Sequence, residues 1–202
     1  MQLWRNARGI TSQGLDTRPR GSLRSVMQQV ASDRILNAVR DVPDFPKPGI
    51  IFKDITPLLS DGGLFRECID LFLNATAPLK PDKIVGIDAR GFLFGSAVAY
   101  QLGVGFVPVR KKGKLPYQTK ETSYKLEYGE ATVEMHVDAI TPGDRIVLID
   151  DLLATGGTSA AAAKLIREAG GNLLGAQFLI ELEFLSGRTH LEPVPVTAFL
   201  KY

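Results

Sequence analysis

The chain has 202 residues, 45% hydrophobic and 23% charged, with 24 basic against 22 acidic side chains for a formal +2. That length fits one domain with an appendage, and a folded chain of this size buries roughly 70% of its unfolded surface, so no disulfides are needed; the single cysteine, Cys68, supports neither a disulfide framework nor a cysteine zinc site and suits a reducing compartment. The charge is uneven: residues 1–31 hold five arginines against Asp16, a local +4, leaving a body of 19 basic and 21 acidic residues at −2, which argues against a nucleic-acid-binding face on the folded part.

No run of about 18 apolar residues is present, so no membrane span is expected. Gly9, Gly14, Pro19 and Gly21 interrupt any period, so residues 1–28 read as a basic, disordered N-terminal extension, with residues 29–202 as the domain. The extension lacks the apolar stretch of a secretory signal. Its Arg- and Ser/Thr-containing, nearly acid-free composition is compatible with organelle targeting, or with Met27 as the true start; otherwise the protein is expected in the cytoplasm. Ser32 is an N-cap candidate for a helix through Arg40, with Ile35, Leu36 and Val39 on one face. Pro43, Pro46 and Pro48 force an extended segment ending at Gly49. A helical stripe runs from Leu64 to Leu73 and takes Cys68 into the core.

An alternation follows. Lys83–Ile87 (KIVGI) reads as a buried strand, Phe92–Leu102 as an apolar helix and Val104–Val109 as a strand. Residues 110–123 are polar and basic and read as a long loop, followed by a hairpin of Lys125–Tyr128 and Thr132–Val137. Arg145–Ile149 (RIVLI) is a third buried strand, Gly157–Ala169 an alanine-rich helix closed by Gly170 and Gly171, Leu173–Leu182 a strand and Val194–Leu200 the last. Strands alternating with helices make the fold class α/β, a mainly parallel central sheet flanked by helices.

The strongest chemical signal is RIVLIDDLLATGGT, residues 145–158. It reads as a buried strand, two acids at its carboxyl end, then Ala154, Thr155, Gly156, Gly157 and Thr158 opening a helix. Ligands of open parallel sheets bind beyond the strands' carboxyl ends. Glycines let backbone N–H groups approach an anion, and the helix adds its positive dipole end, so this is a phosphate cradle without a lysine. Asp150 and Asp151 beside it would repel a bare phosphate. They fit a ligand that also offers a ribose diol, or a Mg²⁺ ion bound through water. Neither a Walker motif nor a dinucleotide fingerprint is present. Arg90, the cation run Arg110–Lys114 and Phe52 each have a plain structural alternative: a solvated arginine, a solvated charge run and a core ring. His136 and His190 are isolated and read as structural or solvent-facing.

The 145–158 segment resembles the donor signature of the type I phosphoribosyltransferase family. PDFPKPGIIFKDITPLL (43–59), GIDARGFLFG (86–95), VPVRKKGKLP (107–116) and YKLEYG (124–129) are similar, in the same order, to motifs of its adenine-specific members. The resemblance runs from about residue 30 to the C-terminus. It implies that fold, with a small hood over the base site and a flexible lid hairpin. It implies a purine salvage enzyme that transfers 5-phosphoribose from 5-phosphoribosyl 1-pyrophosphate to adenine, giving AMP and pyrophosphate. Mg²⁺ would be held by the substrate and reach Asp150 and Asp151 through water, and the chain would act as a homodimer without nucleic-acid or membrane partners.

Residue by residue, Ala154–Thr158 would take the 5′-phosphate and Asp150 and Asp151 the diol. Asp88, Ala89, Arg90, Arg110, Lys111 and Lys114 would take pyrophosphate, with a cis peptide at Asp88–Ala89 and Arg110 completing the site across the dimer. Ala89 stands where many relatives have serine, which removes one hydroxyl. Ile51, Phe52 and Lys53 would hold adenine, by backbone pairing at Ile51 and Lys53 and ring stacking on Phe52; many relatives have arginine where Lys53 stands. Residues 111–125 would form the lid, and Glu127 would handle the base proton as the catalytic residue, beside Tyr128. Two further readings remain open: an enzyme of the same fold for hypoxanthine, xanthine or orotate, and a purine- or donor-sensing regulatory protein. The second would need a DNA-binding domain, for which the 28-residue extension has neither length nor pattern.

Overall fold

The computed structural model describes residues 33–125 and 130–202. The N-cap reading of Ser32, the whole of residues 1–28, and Glu127 and Tyr128 lie outside the described residues. A short helix, α1 (residues 33–38), leads into β1 (Arg40–Pro43), which pairs antiparallel with β2 (Ile51–Asp54) as a separate two-stranded sheet. Ile35 is buried, but Leu36 is exposed rather than sharing the core face as expected. The helix stops short of Arg40 because that residue already pairs with Asp54, through both the ladder and its guanidinium. This hairpin is the hood.

Two helices follow, α2 (Thr56–Ser60) and α3 (Gly62–Thr76), the second capped by the Asp61 carboxylate, which accepts from Gly63 and Leu64 N–H at 2.8 and 3.0 Å. The main sheet then builds from β3 (Lys83–Ile87), helix α4 (Gly91–Leu102), β4 (Gly105–Lys111), β5 (Thr119–Lys125), β6 (Glu130–His136), β7 (Arg145–Leu153), helix α5 (Gly157–Glu168), β8 (Asn172–Glu181) and β9 (Val196–Lys201). Its order is β5-β6-β4-β3-β7-β8-β9. β4, β3, β7, β8 and β9 run parallel, and β6 and β5 add an antiparallel edge.

After the leading Lys83 and Arg145, KIVGI and RIVLI are apolar at every position because both sheet faces are covered. Ile84, Val147, Ile149 and Leu179 point into a core shared with α3 and α4, where Phe72 and Phe94 pack. Val85, Ile87, Ile146, Leu148 and Phe178 point into the opposite core, closed by Ala162, Leu165 and Ile166 of α5. Cys68 lies in the first core with no exposed surface, and burial, helped by the Glu67 charge, pushes its thiol up to about 12. Native protein should therefore resist thiol-alkylating reagents at pH 8, while denaturant should release one reactive thiol, as a colorimetric thiol titration would show.

The structure corrects the expected 110–123 loop, while the antiparallel β5–β6 pairing agrees with the hairpin form expected of the 111–125 lid. β4 continues through Arg110 and Lys111, and Thr119–Lys125 is a strand paired with β6 along its length, from Thr119↔His136 to Lys125↔Glu130. Of the expected first strand, Lys125–Tyr128, only Lys125 belongs to the described residues, as the last residue of β5; residues 126–128 lie outside them. Lys120, Thr122 and Tyr124 share the face toward α5, where Lys120 Nζ donates to the Glu168 carbonyl at 3.2 Å, and Glu121 and Ser123 share the other. The half-apolar pattern of a strand is therefore carried by one threonine and one tyrosine packed toward α5. A second correction concerns β7, which runs on to Leu153, so Asp150 and Asp151 are inside the strand and largely buried.

Candidate active site

The carboxyl ends of β3, β4 and β7, the N-terminus of α5 and the inner face of β5 surround a cleft of about 540 Å³. Asp88, Ala89, Arg90, Arg110, Lys111, Asp150, Asp151, Ala154, Thr155, Gly156, Gly157 and Thr158 all line it, as the sequence predicted. The Asp88–Ala89 peptide is cis.

Asp150 and Asp151 point to one floor but sit in different environments. Burial, then the neighbouring Asp151 charge, pushes the Asp150 carboxyl well above the ordinary aspartate range. Its Oδ1 accepts from Asp151 N–H at 2.9 Å. Asp151 Oδ2 is paired with Arg90 Nε at 2.5 Å. The acids approach the cleft because α4 starts on a residue without a side chain: a Cβ at Gly91 would lie 2.6 Å from Asp150 Oδ1 and 2.9 Å from the Ile149 carbonyl.

The phosphate cradle turns on Gly156, whose φ of +82° belongs to the left-handed region that glycine occupies without penalty. No side chain caps α5, so its first N–H groups face the cleft available to an anion. The Thr158 hydroxyl donates to the Tyr124 hydroxyl at 2.9 Å, joining the cradle to β5.

Arg110 lies in the cleft of its own chain. Its Nε donates to Asp88 Oδ2 at 3.1 Å and its Nη1 to the Lys114 carbonyl at 3.0 Å. Lys114 itself does not line the cleft; its N–H and that of Leu115 donate to Glu134 Oε1, both at 2.9 Å. Burial would raise the Glu134 carboxyl, but the N–H groups of Leu115, Gly113 and Lys114 outweigh it and hold it below the usual glutamate range. Glu134 thus moors the basic turn after β4. The sequence reading missed it, because Glu134 falls on the polar face of EATVEMH, opposite the core residues Val133 and Met135, and its burial comes from the turn that packs on it.

Ile51, Phe52 and Lys53 do not line the cleft; they sit on β2, in the hood. Phe52 reaches it through Arg90, whose guanidinium carbon is 5.3 Å from the ring centroid. Ile51 is exposed. The Lys53 side chain is turned elsewhere: Nζ pairs with Asp41 at 2.7 Å and lies 3.9 Å from the Tyr202 ring centroid. The expectation for Lys53 is a backbone contact, which this placement of its side chain leaves untouched.

Comparison with known proteins follows this geometry. Residues 62–182 match the model of the phosphoribosyl transferase domain family. The chain is 55% identical over 163 residues to the adenine phosphoribosyltransferase of Acidothermus cellulolyticus, covering 81% of this chain and 92% of the relative. Among solved structures, adenine phosphoribosyltransferase from Rhodothermus marinus superposes with a TM-score of 0.82 at 51% identity, covering 86% of this chain and 99% of that one. The Saccharomyces cerevisiae enzyme, complexed with an imino-altritol bisphosphate and adenine, gives 0.81 at 42% identity, with 85% and 99% covered.

Proposed function

The chain belongs to the adenine phosphoribosyltransferases of the phosphoribosyl transferase domain family, and on that premise we propose that it transfers 5-phosphoribose from 5-phosphoribosyl 1-pyrophosphate to adenine, giving AMP and pyrophosphate. The observation that carries this reading is the single cleft in which a lysine-free phosphate cradle, an acid pair and an arginine beneath an aromatic hood residue converge. Ala154–Thr158 hold the 5′-phosphate through backbone N–H groups and the Thr155 and Thr158 hydroxyls. Asp150 and Asp151 accept from the ribose hydroxyls. Backbone at Asp88–Ala89 with the Arg90, Arg110 and Lys111 cations receives pyrophosphate as the bond from C1′ to its oxygen breaks and the bond from adenine N9 to C1′ forms. Adenine lies between Phe52 and the sugar, paired by β2 backbone. Glu127, in the YKLEYG motif, takes the proton that the imidazole ring loses.

The two carboxylates at the cleft floor fit a Mg²⁺ that the donor's own oxygens would carry and that would reach Asp150 and Asp151 through water. When bound there, the ion neutralises pyrophosphate charge. A homodimer is supported by Leu93 and Tyr100, which expose one apolar face of α4. No described helix is long and apolar enough to cross a membrane. A cytoplasmic site is supported by the lone, buried cysteine.

Purified protein given the donor, Mg²⁺ and each of adenine, hypoxanthine, xanthine and orotate should form AMP from adenine at a rate well above product formation from the other bases. Turnover of another base with none of adenine would overturn the reading.

A further inference from the structure

Behind the phosphate cradle lies a segment that the function has not absorbed. Leu182 N–H donates to the Leu153 carbonyl at 2.9 Å, so β8 ends level with β7, and a 3₁₀ turn, Gly187–Leu191, then folds back onto the cradle. The contact is backbone on backbone and reciprocal. A Cβ on Gly156 would lie 2.2 Å from the Gly187 carbonyl oxygen; a Cβ on Gly187 would lie 2.1 Å from the Ala154 oxygen and 2.9 Å from Gly156 N. Each glycine is required by the other chain segment.

The turn is held against the cradle by a charge pair. Glu181, 1% exposed at the end of β8, takes Arg188 Nε at 2.7 Å on Oε1 and Arg188 Nη2 on Oε2, a two-pronged contact. A carboxylate so buried needs its partner, and the fork leaves Gly187, next to Arg188, with little freedom.

We infer that Glu181, Arg188 and Gly187 are positioning residues for the donor's 5′-phosphate: the ion pair clamps the 187–191 turn, and the turn's backbone sets the Ala154–Gly157 loop in its anion-binding shape. This rests on the reading that the loop holds that phosphate. None of the three touches the substrate. Their removal should therefore act on ligands that carry the 5′-phosphate and spare adenine, whereas a merely stabilising ion pair would lower the melting temperature and leave both substrates' KM values alone.

The test uses the full chain and four variants, Gly187→Ala, Arg188→Lys, Arg188→Met and Thr158→Ala, with ribose 5-phosphate as the calorimetric probe and steady-state kinetics on both substrates. Gly187→Ala and Arg188→Met should weaken ribose 5-phosphate binding and raise the donor KM by about tenfold or more, with the adenine KM changed less than about twofold. Arg188→Lys, which keeps the charge and loses the fork, should fall between wild type and Arg188→Met. If Gly187→Ala does not fold, the two Arg188 variants decide. Unchanged ribose 5-phosphate affinity and donor KM in folded variants, or equal losses for donor and adenine, would overturn the inference. Thr158→Ala separates the levels: if it also leaves ribose 5-phosphate binding intact, the phosphate reading of the loop itself fails; if it weakens binding while the Gly187 and Arg188 variants do not, only the positioning inference fails.

Discussion

Replacing both Asp150 and Asp151 with asparagine is expected to reduce kcat/KM for the donor by roughly 10²–10⁴, since two charge-assisted hydrogen bonds to the diol are each worth about 1.5–3 kcal/mol. AMP formation at varied donor concentration would measure it, and retained full turnover would refute the diol assignment. The same acids should show the opposite effect on stability. Asp150 is buried beside Asp151, and burial first, then that charge, raises its carboxyl above the ordinary range. A raised folded-state value means that the native protein keeps a proton the unfolded chain has released. The stabilisation by protonated Asp150 is complete below the unfolded aspartate range and is lost as pH rises through the raised value. Asp150→Asn removes a group that opposes folding at neutral pH and still accepts from Asp151 N–H. The ligand-free variant should melt a few degrees above wild type at pH 8, with the gap narrowing toward pH 4. A scanning calorimetry series over that range reads the sign directly; a gap that widens on acidification would contradict it.

Arg90→Met carries the second large effect. The guanidinium pairs with Asp151 at 2.5 Å and stands beneath the Phe52 ring, so one side chain links the diol acids, the pyrophosphate loop and the hood. Its loss leaves Asp151 unpaired beside Asp150 and removes a cation from the place where leaving-group charge develops. A fall in kcat of about 10²–10³ at saturating substrates is expected. Arg90→Lys should recover only part of it, because an ammonium is a point charge without the planar guanidinium that reaches Asp151 and the Phe52 ring together. Full activity in Arg90→Met, measured by pyrophosphate release, would show that leaving-group charge is met elsewhere.

The parts of this fold that were legible in the chain are those whose determinants are contiguous. KIVGI and RIVLI announce strands because a parallel sheet covered on both faces tolerates apolar residues at every position. The cradle was legible because strand end, turn and helix start lie within residues 145–158. What escaped depends on distant partners. Thr119–Lys125 reads as polar loop until β6 supplies its ladder and α5 receives Thr122 and Tyr124. The side-chain partners of Lys53, Asp41 and the Tyr202 ring, could not be read from the PDFPKPGIIFKD segment, because Tyr202 is 149 residues away in sequence. Glu134 gains its meaning from N–H groups of Lys114 and Leu115, twenty and nineteen residues away in sequence. The Gly187–Arg188 pair shows nothing locally, since its partners Gly156 and Glu181 belong to two other elements.

The central claim is that one cleft holds the phosphate at Ala154–Thr158, the sugar diol at Asp150 and Asp151, and the base under Phe52. A crystal structure of the protein with AMP and pyrophosphate tests it most directly. The account predicts the 5′-phosphate within hydrogen-bond distance of the Gly156–Thr158 N–H groups, both ribose hydroxyls on the acid pair, pyrophosphate at Asp88–Arg90 and adenine against the Phe52 ring. AMP seated with its phosphate at Arg90 and its base in the Ala154–Thr158 loop, or bound outside this cleft, would contradict it.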